Sequence, residues 1–144
     1  MDTDAVSILF QPSHSLYGKC FASTAGHYLL ISFMTHAELM LWPRRNNWGP
    51  ARVGLLMRHV DLFTTLYPDA DTCAHWADVV SEGRTAGRPI GTADAWIAAC
   101  ARQWGIMLVT ANARDFDHVR GITLAPTLTI RIPESKHDRL RNLA

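Results

Sequence analysis

Cysteine, lysine and net charge are all scarce in this chain of 144 residues. The three cysteines, Cys20, Cys73 and Cys100, are odd in number and lack any CxxC spacing. That pattern argues against a disulfide framework or a zinc knuckle and fits a reduced, cytoplasmic setting. No run of about 18 apolar residues is present to span a bilayer, and no charged-then-apolar leader opens the sequence, so a membrane partner is not expected. Fourteen Lys and Arg against thirteen Asp and Glu leave a formal charge of +1, too little for a global field to direct the chain to nucleic acid. Only Lys19 and Lys136 are lysines; the other basic residues are arginines, whose guanidinium suits bidentate phosphate contacts as well as surface ion pairs.

What is present is apolar bulk. Hydrophobic residues make up 48% of the chain, enough for the core of one domain, and no internal repeat or low-complexity segment interrupts it. Tyr28 to Met34 reads as a buried strand, and Thr35-x-x-Glu38 matches a capping box that would open the next helix. Pro43 to Pro50 reads as a polar, positively charged loop, with Arg44, Arg45 and Arg52 clustered there, before a helix around Val53 to His59. Asp61 to Tyr67 alternates as a second strand, and Asp71 is placed to cap the helix that follows. Gly83, Gly87 and Pro89 break that helix and leave a basic loop with Arg84 and Arg88. Thr92 then serves as an N-cap for a helix to Trp104, which Gly105 closes. Ile106 to Thr110 forms a third strand, Asn112 to Asp115 a short helical turn, and Gly121 to Leu124 a last strand. Strands alternating with helices imply an α/β architecture, a mainly parallel sheet flanked by helices.

Four acids, Asp2, Glu38, Asp94 and Asp115, stand at or near the points where extended or apolar stretches give way to helical ones. In an open α/β sheet such junctions line one crevice, so distant acids can meet there. Taken singly, each has a plainer role. Glu38 and Asp115 can close capping boxes, and a first-turn acid such as Asp94 gains from the helix dipole. Asp94 resists dismissal most, because Ile97, Ala101 and Trp104 follow it at 3, 4 and 3 residue steps, on an apolar stripe. Converging carboxylates repel, and a bound divalent cation relieves the repulsion. Oxygen-only ligands suit Mg²⁺ or Mn²⁺ better than zinc, and such a site supports phosphodiester hydrolysis.

The run GRPIGTADAWIAACARQWGIMLVTANARDFDHVRG, Gly87 to Gly121, resembles the carboxy-terminal half of PIN-domain ribonucleases, especially VapC toxins of type II toxin-antitoxin pairs. Upstream, T-x-A-E-L is met by Thr35, Ala37, Glu38 and Leu39, and D-T-x-x-x-S by Asp2, Thr3 and Ser7, so the likeness runs from residue 2 to about 125. The resemblance implies a PIN-like α/β/α sandwich over residues 1–126, followed by a tail or edge element at 127–144. It implies that Asp2, Glu38, Asp94 and Asp115 hold Mg²⁺ or Mn²⁺ and cut RNA, with Thr110 and Asn112 orienting carboxylate or water. A VapB-like antitoxin and a homodimer are the partners it implies. The family begins with an apolar strand before the first aspartate, whereas only Met1 precedes Asp2 here. The expectation is therefore a truncated first strand, an Asp2 held loosely at a frayed end, and weakened metal binding.

Three other readings compete. His36-Ala37-Glu38 resembles half of a zinc deaminase motif but lacks P-C-x-x-C. Asp2-Thr3-Asp4 resembles the opening of haloacid-dehalogenase-like phosphatases, yet the only lysine late in the chain is Lys136. A degenerate PIN domain that only binds antitoxin or RNA would keep the fold and lose cleavage.

Overall fold

The computed structural model describes residues 1–125, and the tail expected at 127–144 lies outside them. The chain runs through α1 (Thr3–Phe10), α2 (Tyr17–Thr24), β1 (Leu30–Ser32), α3 (Phe33–Arg45), α4 (Pro50–Val60), β2 (Thr64–Leu66), α5 (Ala70–Thr85), α6 (Thr92–Trp104), β3 (Met107–Leu108), a 3₁₀ turn (Ala113–Asp115) and β4 (Thr123–Leu124). Strands β1 and β2 pair in parallel, and so do β3 and β4. Residues 1 and 2 tie the two pairs together. The Met1 amine donates to the Leu30 carbonyl at 2.7 Å, and the Asp2 amide donates to the Val109 carbonyl at 3.1 Å.

Two apolar clusters hold this frame. Val6, Ile8, Ile31, Leu39 and Leu56 fill one, drawn from α1, β1, α3 and α4. Val79, Ile97, Ala98, Leu108 and Phe116 fill the other, drawn from α5, α6, β3 and the segment after the 3₁₀ turn. The α6 sequence is rich in alanine, so its backbone approaches its neighbours closely, and Ala95, Ala98, Ala99 and Ala101 are all buried.

Several local expectations shift when the chain is folded. The strands are shorter than the apolar runs that contain them, because only two or three residues of each find a hydrogen-bonded neighbour. Ser32, not Thr35, caps α3 by accepting from the Thr35 amide at 3.1 Å; Thr35 sits one turn in and is fully buried. Glu38 is thus released from the capping box. Asp69 rather than Asp71 caps α5, in a reciprocal box with Thr72. Gly91 rather than Thr92 precedes α6, which has no side-chain cap. Gly83 lies inside α5 and does not end it: a Cβ there would meet the Arg88 carbonyl oxygen at 2.9 Å, so the missing side chain lets the following loop fold back onto the helix. Helices α1 and α2 were not anticipated from the sequence.

Candidate active site

The four acids come from four separate places. Asp2 is the N-cap of α1, Glu38 lies within α3, Asp94 in the first turn of α6, and Asp115 ends the 3₁₀ turn. All four line one cavity of about 230 Å³, together with Thr3, Asp4, Trp42 and Arg45. Sequence separation of over a hundred residues is closed by the parallel strands and the two residues that join them.

Asp2 is 4% exposed and is anchored from both sides. Its Oδ1 accepts from the Ala5 amide at 2.8 Å, and its Oδ2 accepts from the Thr110 hydroxyl. Thr110 in turn accepts from the Asn112 amide at 2.9 Å. This differs from the frayed terminus expected from sequence: the Met1 amine, the Asp2 amide and both Asp2 carboxylate oxygens all have partners. The two polar residues expected beside the acids therefore both touch them, since the Asn112 side-chain amide donates to Asp115 Oδ2 at 2.6 Å. Glu38 accepts from the Thr3 hydroxyl, a contact that the capping-box reading did not anticipate.

The electrostatics follow from burial and from like charges. Burial pushes the Asp2 carboxyl up to about 6; Asp4 adds to the rise, and the hydrogen bonds from Thr110 and Ala5 oppose it. Asp94 is also pushed up to about 6, first by desolvation and then by Asp115, Glu38 and Asp4. Those acids therefore feel one another's charge through the cavity. Gly91 makes room for one of them, because a Cβ there would lie 3.3 Å from Asp94 Oδ2. The apolar stripe inferred for α6 holds at Ile97 and Ala101, which are buried, and ends at Trp104, which is 56% exposed.

Sequence reading did not place two residues of chemical weight at this cavity. Asp4, which entered the sequence reading only through the phosphatase-like motif, lines the cavity and raises both Asp2 and Asp94. Arg45, at the last turn of α3, is a cation on the same wall. Asp4 was detectable as a second acid in the first turn of α1, had that helix been recognised. Trp42 also lines the cavity, while its ring packs 6.4 Å from Phe10 and 6.3 Å from Trp48.

The donor set tests whether a cation fits. It consists of carboxylate oxygens with hydroxyl support and offers neither thiolate nor imidazole, which matches a hard divalent ion. The mutual repulsion at Asp94 is the field a cation would cancel. As placed, no three His, Cys, Asp or Glu side chains among the described residues stand close enough to grip one ion, so a closed shell needs rotation of side chains into the cavity. Charge and donor chemistry fit; the spacing is open.

Paired parallel strands flanked by helices, with four acids from separate elements lining one cavity, define a class of fold, and comparison with known proteins identifies it. The chain belongs to the PIN-domain family, whose profile matches residues 2–122. Its relatives include Ribonuclease VapC1 of Haemophilus influenzae strain R2866, 32% identical over 95 residues that cover 63% of this chain and 68% of that protein. The tRNA(fMet)-specific endonuclease VapC of Shigella flexneri is 30% identical over 94 residues, covering 65% and 71%. Among solved structures, FitAcB from Neisseria gonorrhoeae superposes with a TM-score of 0.71 at 27% identity, covering 87% of this chain and 95% of that one. VapBC2 from Rickettsia felis, bound to a promoter DNA fragment, gives a TM-score of 0.75 at 19% identity over 85% and 93%, a likeness of fold.

Proposed function

We propose that this chain is a Mg²⁺- or Mn²⁺-dependent endoribonuclease and the toxin of a toxin-antitoxin pair. The observation that carries the reading is the meeting of Asp2, Glu38, Asp94 and Asp115 in one cavity, in a chain whose relatives include ribonucleases named VapC. Asp2 and Asp94 would hold the ion directly, with Glu38 and Asp115 completing the shell directly or through water. When bound, the ion supplies an activated water and neutralises charge on a phosphoryl oxygen.

The protein's own side chains do the positioning. Thr110 holds Asp2 Oδ2, Thr3 holds Glu38, and Asn112 holds Asp115, so three of the four carboxylates are tethered by hydrogen bonds at the cavity from which they would turn to close on the ion. Asp2 is buried, so water screens its charge little. Asp94 has no hydrogen-bonded support of this kind among the side-chain contacts described, and its neighbours are acids, which makes it the most cation-dependent member.

A VapB-like antitoxin as partner is supported by the VapBC complexes among the structural relatives. Pairing with a second copy is part of the same proposal. No helix among the described residues is long and apolar enough to cross a membrane.

The test is Asp94→Asn in the purified chain and in cells. The reading expects metal-dependent RNA cleavage and growth arrest in the wild type and their loss in the variant, with folding retained. Binding of RNA by both proteins with cleavage by neither would favour a degenerate PIN domain. Hydrolysis of small phosphomonoesters would favour the phosphatase reading instead.

A further inference from the structure

A second cavity, also of about 230 Å³, opens beside the acid site and shares Asp94 and Asp115 with it. Its other walls differ in character: Arg88, Arg114, His118 and the Pro89–Gly91 segment that leads into α6. Three features make this wall suited to an anion. Helix α6 starts without a side-chain cap, so the amides of its first turn have no side chain accepting from them, and 13 residues of aligned peptide dipoles end there. Arg88 and Arg114 bring two guanidinium groups to it. The His118 imidazole is 11% exposed, and neither ring nitrogen has a hydrogen-bond partner among the described residues; its nearest charge is Asp117 Oδ1 at 3.7 Å from Nδ1.

The local chain is built to hold Arg88 there. Gly87, at φ +69°, turns the loop after α5, and the Arg88 amide donates to the Gly83 carbonyl at 2.9 Å. The Arg88 guanidinium then spans to the 3₁₀ turn, donating through Nη2 to Asp117 Oδ1 at 2.7 Å and to the Arg114 carbonyl at 3.3 Å. Only one of its nitrogens is used in these contacts, so Nη1 and Nε stay available. Asp117 offsets part of the Arg88 charge, which leaves Arg114 as the stronger free cation of the wall.

We propose that this cavity is a backbone-phosphate subsite for RNA, holding a phosphate one or more nucleotides from the bond that is cut, with Arg114 and Arg88 as its positioning groups. This rests on the ribonuclease reading above and deepens it. The shared Asp94 and Asp115 wall sets the two cavities side by side, so a strand whose scissile phosphate lies among the acids can place a neighbouring phosphate against the arginines. Acids that repel the chain at the reaction centre thus adjoin cations that retain it.

The experiment compares wild type, Arg114→Gln and Arg114→Lys on two RNAs, an oligonucleotide of about twelve residues and a dinucleotide with a single phosphodiester, in Mn²⁺ at several salt concentrations. Arg114→Gln is expected to raise KM for the oligonucleotide roughly 5- to 10-fold, leave kcat within about 2-fold and lower the salt slope by about one. The dinucleotide is expected to show no change, and Arg114→Lys to recover part of the loss. Unchanged KM and salt slope on the oligonucleotide, or equal losses on both RNAs, would overturn the subsite. If the wild type cuts neither RNA, the ribonuclease reading fails separately. The subsite is then judged by anisotropy of the labelled oligonucleotide in EDTA, where weaker binding by Arg114→Gln supports it and equal binding overturns it.

Discussion

Replacing Asp2 by Asn separates the electrostatic load of the acid cavity from its chemistry. A rise of the Asp2 carboxyl from 3.8 to about 6 on folding means that the folded, metal-free protein binds more protons than the unfolded chain across that interval. The sign follows directly: Asp2 imposes no penalty below about pH 4, and stability falls as pH rises through about 6. Above about pH 7 the full penalty is in place, worth roughly 3 kcal/mol at 1.36 kcal/mol per pH unit. Asparagine removes it and keeps most of the contacts. Its side-chain carbonyl can accept from the Ala5 amide, while its amide must face the Thr110 hydroxyl, which loses its acceptor at a cost of about 1 kcal/mol. The net gain is about 2 kcal/mol, or roughly 4 to 8 °C in Tm for a chain of this size. Melting in EDTA from pH 4 to 8, followed by circular dichroism, is expected to show Asp2→Asn slightly below wild type at pH 4, where the lost Thr110 hydrogen bond outweighs the small remaining charge penalty, and higher by that margin at pH 7.5. Adding Mn²⁺ is then expected to raise the wild type and leave the variant where it was, because only the wild type has the charge to hold the ion. A variant less stable than wild type at pH 7.5 without metal, or a difference that does not change with pH, would refute the reasoning.

Other outcomes follow from the same geometry. Thr110→Val removes the hydroxyl that holds Asp2, and Mn²⁺ affinity by calorimetry is expected to fall about 10- to 100-fold, with Thr110→Ser close to wild type. Gly83→Ala drives a methyl to 2.9 Å from the Arg88 carbonyl oxygen, and chemical denaturation is expected to show a loss of about 1 to 3 kcal/mol. Gly91→Ala places its methyl 3.3 Å from Asp94 Oδ2, so RNA cleavage is expected to suffer more than Tm, which circular dichroism and a cleavage assay will separate.

The sequence carried the α/β order and the acids, and folding supplied what tied them together. Asp94 was legible because a carboxylate on an apolar helical stripe is costly without a partner. Thr110 and Asn112 were legible through family likeness, and both prove to touch acids. The anchoring of Asp2 was not, because it depends on two backbone bonds to residues far along the chain, Leu30 and Val109. Local rules misassigned the caps for a related reason. Ser32, Asp69 and Gly91 each precede the residue that a motif favoured, and which residue leaves the helix is decided by where the preceding strand or loop delivers the chain. Arg45 was read only as part of a basic loop and Asp4 was not read as a site acid, because their place at the site comes from facing a cavity shared by α1, α3 and α6.

The central claim, that the four carboxylates form one cation site, is tested most directly by titrating Mn²⁺ into the metal-free protein and following bound ion by electron paramagnetic resonance at pH 7.5. The account predicts saturable binding by the wild type and its loss in both Asp2→Asn and Asp94→Asn, although the two acids stand at the starts of different helices far apart in the chain. Binding that survives either substitution unchanged, or a wild type that binds no Mn²⁺ at millimolar concentration, would contradict it.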